Sequence, residues 1–163
     1  MITSKKTQII LGIDPGYARA GWSVLKKTGQ NLELLDYGCV ESNKEIEHAE
    51  RLKKIHAELK KIIKKYKPTI MAVEDLFFFK NLKTAIKVAE ARGVILMTGF
   101  ENNLEIFEYT PLQIKQALTG YGRADKNQIQ QMVKMILKLK EIPKPDDAAD
   151  AVAVAITCAN IIK

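Results

Sequence analysis

The sequence predicts an α/β fold in which a mixed five-stranded sheet is flanked by helices. Two patterns indicate this fold class. The first third of the chain has the composition of three strands joined by short turns, and the remainder alternates helices with strands. The chain has 163 residues, 47% of them hydrophobic and 28% charged. These values suit a single globular domain over 1–163 with a core of ordinary size.

The first strong apolar run, 9–13, predicts a strand that is buried on both faces and lies in the middle of the sheet. Asp14 and a Pro-Gly turn end this strand. Two further strands then complete an antiparallel meander, and two short apolar runs later in the chain predict a fourth and a fifth strand. The predicted strands after the first are 20–25, 32–40, 69–74 and 104–109.

Apolar residues at helical spacing predict the helices. Thr110 and Pro111 are typical of an N-cap and a first helical position, and Asp146 is predicted to cap the last helix. His48 and His56 are eight residues apart on the first helix, a spacing that does not suit a metal pair, so we expect them to be surface or packing residues. The predicted helices span 45–66, 81–100, 111–118, 125–140 and 146–161.

Charge and cysteine content limit the protein class. Lysine and arginine number 26 against 19 acidic residues, a net charge of +7. This surplus is compatible with a polyanionic partner, but a basic solubilising surface explains it equally well. Cys39 and Cys158 lack metal-site spacing and are expected to be buried free thiols. No apolar run approaches the ~20 residues of a membrane span. We therefore expect a cytoplasmic protein with no membrane partner.

Four carboxylates are candidates for one site. Asp14 and Glu74 each end a predicted strand, and parallel strands would bring both to the same sheet edge. Asp147 and Asp150 are three residues apart and share one face of the last helix. In the simpler alternative, Asp14 merely opens a turn and the helix acids complement the helix dipole. That alternative explains Asp150 poorly, because this residue lies beyond the first helical turn.

Convergent carboxylates repel one another unless a cation lies among them. Neither histidine nor cysteine occurs in these motifs, and a donor set of oxygen atoms indicates Mg²⁺ or Mn²⁺ rather than zinc. Two such ions would be able to activate water and stabilise the leaving oxygen of a phosphodiester. The basic surplus would suit a nucleic-acid substrate approaching this centre.

Several short motifs in order resemble the RuvC family of Holliday-junction endonucleases, within the ribonuclease H-like (retroviral integrase) superfamily. Each motif is weakly specific alone, but their order and combination are highly specific and extend almost from end to end. The motifs are Gly12-Ile13-Asp14-Pro15-Gly16, Val73-Glu74-Asp75-Leu76-Phe77, Lys80-Asn81, Ala91-Arg92-Gly93-Val94, Tyr109-Thr110-Pro111 with Lys115, Gly120 to Lys126, and Asp147-Ala148-Ala149-Asp150-Ala151.

The resemblance implies a ribonuclease H-like sheet with the first strand central, and a Mg²⁺-dependent nuclease in which Mn²⁺ substitutes and two ions bind per site. It implies that the catalytic and metal-binding acids are Asp14, Glu74, Asp147 and Asp150. It also implies a homodimer that nicks opposed strands of a four-way junction and works with a RuvA-RuvB branch-migration complex. The chain departs from the family pattern at Asp75, where an amide is frequent, and at Glu90, where glutamine is frequent.

The resemblance also implies DNA contacts, and each has a simpler alternative. Phe77 would stack on unpaired bases, although core filling is the ordinary role of a phenylalanine. Lys115 and Lys126 would bind phosphate or stabilise the transition state, although most lysines are solvated. Glycines between 120 and 122 would let backbone approach phosphate, or would form a plain turn. The implied contacts are Phe77, Lys80, Asn81, Lys115, Gly120, Gly122, Arg123 and Lys126.

Small and apolar residues of the predicted helix 81–100 are candidates for a subunit interface, since two coordinated nicks need two sites related by two-fold symmetry. These residues are Ala85, Ile86, Ala89 and Gly93.

Two other functions remain open from the sequence. One is a junction-binding protein that does not cut, which the complete set of four acids argues against. The other is a sugar-kinase-like or actin-like ATPase, which would need a second domain and glycine-rich phosphate loops.

Overall fold

The structure, a computed structural model, describes residues 6–42, 45–76 and 82–162. Five strands form one sheet in the order β3-β2-β1-β4-β5. The strands are β1 (Thr7–Asp14), β2 (Arg19–Thr28), β3 (Asn31–Glu41), β4 (Ile70–Glu74) and β5 (Glu105–Tyr109). The helices are α1 (His48–Tyr66), α2 (Leu82–Glu101), α3 (Pro111–Thr119), α4 (Lys126–Ile136) and α5 (Asp146–Ile161). The predicted fold class, a mixed five-stranded sheet flanked by helices, is confirmed.

The central strand β1 sets the position of both strand-end acids. It pairs antiparallel with β2 and parallel with β4, in a register that joins Ile13 to Val73. Because β1 and β4 run in the same direction, Asp14 and Glu74 both lie where their strands end, at one edge of the sheet. The antiparallel meander predicted for the first three strands is likewise confirmed.

Alternate residues of the central strands divide the core into two clusters. Ile10 and Ala72 face α3, α4 and α5, whereas Leu11 and Val73 face α1 and α2, and all four are inaccessible to solvent. The sheet therefore separates the helices into two layers, and α5 covers the centre of one face.

Helix α5 lies unusually close to the backbone of β1 and β2. A Cβ atom at Gly12 would lie 2.4 Å from the carbonyl oxygen of Ala151, and one at Gly21 would lie 1.9 Å from that of Asp147. Ser23 Oγ donates a hydrogen bond to the Ala151 carbonyl at 3.0 Å, across 128 residues of sequence. Glycine and alanine at this contact permit an approach that larger side chains would block.

Several helix ends differ from the sequence prediction, two of them by more than one residue. Helix α1 begins at His48 rather than 45, and α4 ends at Ile136 rather than 140. Asp146 was wrongly predicted as an N-cap: Pro145 occupies that position, and Asp146 is the first residue of the helix. The N-cap at Thr110 is confirmed, and its hydroxyl accepts a hydrogen bond from the N–H of Gln113.

The two histidines join α1 to α2, as packing residues rather than metal ligands. His48 Nε2 contacts Glu90, and His56 Nδ1 lies 2.9 Å from Thr98 Oγ1. The departure at Glu90 is thus accommodated by a partner on the neighbouring helix. Both cysteines are free, with Cys158 buried as expected and Cys39 only half-buried. Within the described ranges, no helix is long and apolar enough to span a membrane.

Replacement of Gly12 by alanine tests the close contact of α5. We expect Gly12→Ala to lower the free energy of unfolding by about 1–3 kcal/mol, because the new methyl group would overlap the Ala151 carbonyl and the Ala155 side chain. Urea denaturation measures this change. A wild-type midpoint would contradict the close approach.

Candidate active site

Three of the four predicted acids line one cavity. Asp14 and Glu74 enter it from the ends of β1 and β4, and Asp150 enters from the second turn of α5. The cavity has a volume of about 270 Å³ and lies between the sheet edge and helices α3 to α5. Its other lining residues are Pro111, Ile114, Lys115, Ala124, Asp125, Lys126, Ile129 and Ala153.

Burial and like charge raise the pKa values of these acids. The pKa of Asp14 lies well above its usual range, first because Asp14 is buried and then because of the charges of Glu74, Asp150 and Asp147. Asp14 and Glu74 share a side-chain hydrogen bond, which requires a proton on one of them. Burial also raises the pKa of Glu74 and of Asp150. The site therefore concentrates more negative charge than it can hold without a proton or a cation.

Asp147 lies beside the cavity but is not part of its lining. Its Oδ2 atom is 3.9 Å from Arg19 Nη1, and its charge contributes to the raised pKa of Asp14. Arg19 also pairs with Glu41 at 3.3 Å. The sequence reasoning missed Arg19. Arg19 lies directly opposite Glu41 on β3. This pairing would have pointed to Arg19, but it can be recognised only when the register of the two strands is known.

Two predicted lysines lie at the acidic cavity. Lys126 Nζ donates to Asp150 Oδ2 at 3.1 Å and lies 3.4 Å from Asp146 Oδ2. Burial lowers the pKa of Lys126, but the hydrogen bond and charge of Asp150 outweigh burial and raise it. Lys115 lines the cavity and its charge acts on Glu74. Both lysines thus belong to the electrostatics of the site rather than to a remote solvated surface.

Other predicted DNA contacts are not brought into the cavity lining. Gly120 adopts a left-handed conformation with a φ of 69° and ends α3, and a Cβ atom at Gly122 would lie 2.5 Å from Leu112. Arg123 is exposed. The local structure therefore accounts for glycine at both positions. Contact of Gly120 and Gly122 with DNA stays a prediction. Phe77, Lys80 and Asn81 lie outside the described residues.

The donor set fits a hard divalent cation. It consists of carboxylate oxygens, and the half-buried side chains of Asp14, Glu74 and Asp150 face the same space. In the present arrangement each carboxylate already has a partner: Asp14 with Glu74, Asp150 with Lys126, and Asp147 with Arg19. Among the described residues no three acidic, histidine or cysteine side chains surround a common point. These three carboxylates would hold a cation only in place of their present partners.

The departure at Asp75 has a partner on the opposite side of β4. Asp75 Oδ1 is 3.0 Å from Arg92 Nη2, and the same guanidinium contacts Glu108. Strand alternation directs Asp75 away from Glu74, as expected from the sequence. Its charge is therefore compensated by α2 rather than added to the cavity.

The basic surplus lies away from the acids, contrary to the argument that it suits the approach of nucleic acid to them. Residues 48–67 contain eight lysines and arginines and two glutamates, which give +6 of the net +7. This segment forms α1, on the sheet face opposite α5. Net charge alone thus gives no information on where a polyanion binds.

The model of the family described as "Crossover junction endodeoxyribonuclease RuvC" matches residues 10–158. A curated relative of that name from Halothermothrix orenii is 54% identical over 152 residues, covering 93% of this chain and 92% of the relative. One from Caldicellulosiruptor saccharolyticus is 55% identical over 148 residues, covering 90% and 89%.

Solved structures of Holliday junction resolvases also match this chain. Thermus thermophilus RuvC in complex with a Holliday junction substrate has a TM-score of 0.87 and 37% identity, covering 92% of each chain. The yeast mitochondrial Holliday junction resolvase Ydc2 has a TM-score of 0.67 at 11% identity, a likeness of fold alone; the match covers 97% of this chain and 78% of that one. With a family model that spans most of the sequence and relatives above half identity, this chain belongs to the RuvC family of crossover junction endodeoxyribonucleases.

Proposed function

We propose that this protein is a structure-selective DNA endonuclease that resolves Holliday junctions in recombination and repair, using divalent metal ions held by Asp14, Glu74, Asp147 and Asp150. The observation that carries the proposal is the convergence of Asp14, Glu74 and Asp150 on one cavity, with Asp147 beside it. One sheet serves both core clusters, which supports a single nuclease domain over 1–163.

Two of the four acids are held by strands and two by a helix. Asp14 and Glu74 stand on adjacent parallel strands, so their separation is fixed by the sheet. Asp150 and Asp147 stand on α5, whose distance from the sheet is fixed by its backbone contacts. These four carboxylates would hold two Mg²⁺ or Mn²⁺ ions, which would supply the Lewis acidity needed to activate water and to stabilise the leaving oxygen of a phosphodiester.

The two cavity lysines supply positive charge where the substrate phosphate would enter. Lys126 donates a hydrogen bond to Asp150, and its ammonium group would be available to the phosphate if that carboxylate held a cation instead. Lys115 approaches from α3, on the side of Glu74. The outer contacts, Phe77, Lys80, Asn81, Gly120, Gly122 and Arg123, complete the DNA surface in this proposal, with Phe77 stacking on unpaired bases.

An apolar stripe on α2 supports association of two copies of the chain. Its members lie within one side of the helix, at spacings of three or four residues, and all are exposed. Nothing lies within 4 Å of a Cβ atom built at Gly93, so a second helix can approach closely there. Two copies related by a two-fold axis would present two sites to the two-fold symmetric junction. The stripe consists of Leu82, Ile86, Ala89, Gly93, Met97 and Phe100.

This stripe revises the predicted interface in part. Ile86 and Met97 are 51% and 54% exposed, whereas Ala85 is half-buried beside the sheet layer. By family resemblance, a RuvA-RuvB branch-migration complex is the further partner of the dimer.

A junction-binding protein without nuclease activity is the alternative function. A protein that only binds DNA needs no cluster of half-buried carboxylates. Such a cluster destabilises the fold, so its presence favours a nuclease. Nicking of a synthetic four-way junction with and without Mg²⁺ separates the two functions.

Replacement of single acids tests the metal site. We expect Asp14→Asn, Glu74→Gln, Asp147→Asn and Asp150→Asn each to slow single-turnover cleavage at least about 100-fold while junction binding is retained, because charge is lost and shape is kept. The measurement is cleavage at saturating junction with Mg²⁺.

Asp146→Asn is the matched control for these variants. Asp146 is on the same helix, but its side chain is 66% exposed and lies outside the cavity lining. It should cut at nearly the wild-type rate. Wild-type cutting by Asp14→Asn or Glu74→Gln would contradict the site.

Lys126→Ala tests whether this lysine acts in chemistry or in binding. We expect the rate at saturating junction to fall about tenfold, or about 1.4 kcal/mol, with little change in affinity. Lys134→Ala, on the same helix but outside the cavity lining, is the control and should leave the rate unchanged. If Lys126→Ala instead weakens binding and lowers the salt slope by about one unit, Lys126 is a phosphate contact only.

Ile86→Glu tests the α2 interface. A buried unpaired charge should separate the subunits, so we expect a monomer at micromolar concentration in sedimentation velocity. Met135→Glu changes a 67% exposed methionine of α4 and should remain dimeric. A wild-type protein that is monomeric and still makes paired nicks would contradict the dimer.

A further inference from the structure

Arg92 joins α2 to the ends of β4 and β5. Its Nη2 atom lies 3.0 Å from Asp75 Oδ1 and also contacts the carboxylate of Glu108. The side chain of Arg92 is only 16% exposed, so its charge is largely shielded from solvent. One nitrogen of this guanidinium, Nη2, therefore contacts both carboxylates and offsets part of their charge.

The two carboxylates belong to residues next to the end of β4: Asp75 follows Glu74, and Glu108 pairs with Val73 across β5 and β4. The carboxylate of Asp75 accepts a hydrogen bond from the N–H of Leu76 at 2.8 Å. The N–H of Asp75 donates to the carbonyl of Tyr109 at 2.8 Å, just after Glu108 in β5. The end of β4 is thus fixed by β5 and by the acid that Arg92 binds.

We propose that Arg92 is a positioning residue for Glu74. By binding Asp75 and Glu108 on one face of the sheet, it fixes the direction in which Glu74 enters the cavity on the other face. This inference rests on the proposed function, in which Glu74 is a metal ligand. Groups that orient a ligating carboxylate from outside the ligand set typically change metal affinity 10- to 100-fold.

The same helix carries the apolar stripe of the proposed subunit interface. Gly93, the open centre of that stripe, is the residue after Arg92. A shift of α2 would move Arg92 and, through Asp75, the end of β4. Subunit association and the orientation of Glu74 therefore depend on one element.

The test compares Arg92→Met and Arg92→Lys with a control variant on α1 that removes a different ion pair to α2. Lys60→Met removes an exposed ion pair of 3.5 Å with Glu101, at the other end of α2. Isothermal titration calorimetry with Mn²⁺, on the DNA-free full-length protein, measures metal binding directly. We expect Mn²⁺ to bind at least about tenfold more weakly to Arg92→Met and at wild-type affinity to Lys60→Met.

Arg92→Lys keeps the charge and covers the case in which Arg92→Met does not fold. The ammonium nitrogen of lysine lies one bond nearer the backbone than the Nη2 atom that contacts both carboxylates. It should therefore hold Asp75 less well, and we expect Mn²⁺ binding about threefold weaker or more. Folded Arg92→Lys with wild-type Mn²⁺ affinity would overturn the proposal.

Hydrogen exchange supplies a local readout that a merely structural role would not move. The amides of Asp75 and Leu76 should exchange faster in both Arg92 variants than in Lys60→Met. If Arg92 only stabilises the fold, its variants will show a lower melting temperature, but the folded protein will keep wild-type Mn²⁺ affinity and wild-type exchange at these amides.

Glu74→Gln separates failure of this proposal from failure of the proposed function. If Glu74→Gln binds Mn²⁺ and cuts like the wild type, the metal site itself is wrongly assigned. If Glu74→Gln loses Mn²⁺ binding while the Arg92 variants keep it, only the positioning role of Arg92 is wrong.

Discussion

The close contact of α5 with β1 and β2 is the constraint on which the rest of the structure depends. Glycine at positions 12 and 21 lets the carbonyl groups of α5 lie against the sheet, and Ser23 fixes the distance with a hydrogen bond to Ala151. Asp150 is the residue before Ala151, so the contact that packs the core also sets how far this acid lies from the strand ends. The same few contacts therefore determine both the packing of α5 and the position of Asp150.

That contact brings like charges together at a cost that the protein offsets locally. These half-buried carboxylates are tolerable because each has a partner: Asp14 interacts with Glu74, which raises the pKa of Asp14, and Lys126 lies beside Asp150. Each of these partners is one that a divalent cation can replace. The repulsion among the carboxylates at the cavity is thus consistent with a cation site. It also explains why, among the described residues, the acids contact other groups and do not surround one common point.

The two faces of the sheet carry different parts of the proposed function. The face covered by α3, α4 and α5 holds the carboxylates and cavity lysines, whereas the other carries α1 with most of the net charge and α2 with the exposed apolar stripe. The end of β4 connects them, because Glu74 and Asp75 are adjacent in sequence and point to opposite faces. Arg92 acts at this connection.

Local periodicity in the sequence was enough to predict the antiparallel meander and the central position of β1. Short motifs, whose residues are close in the chain, were enough to propose the four candidate acids. The sequence misplaced the cap at Asp146, because aspartate is a preferred N-cap, whereas the helix begins one residue earlier with Pro145 at that position and no side-chain cap. Only the tertiary structure decided that Asp147 faces Arg19 while Asp150 lines the cavity, that Asp75 is neutralised by Arg92, and that the basic surplus lies behind the sheet. Those facts depend on contacts between residues far apart in the chain, which periodicity and composition do not encode.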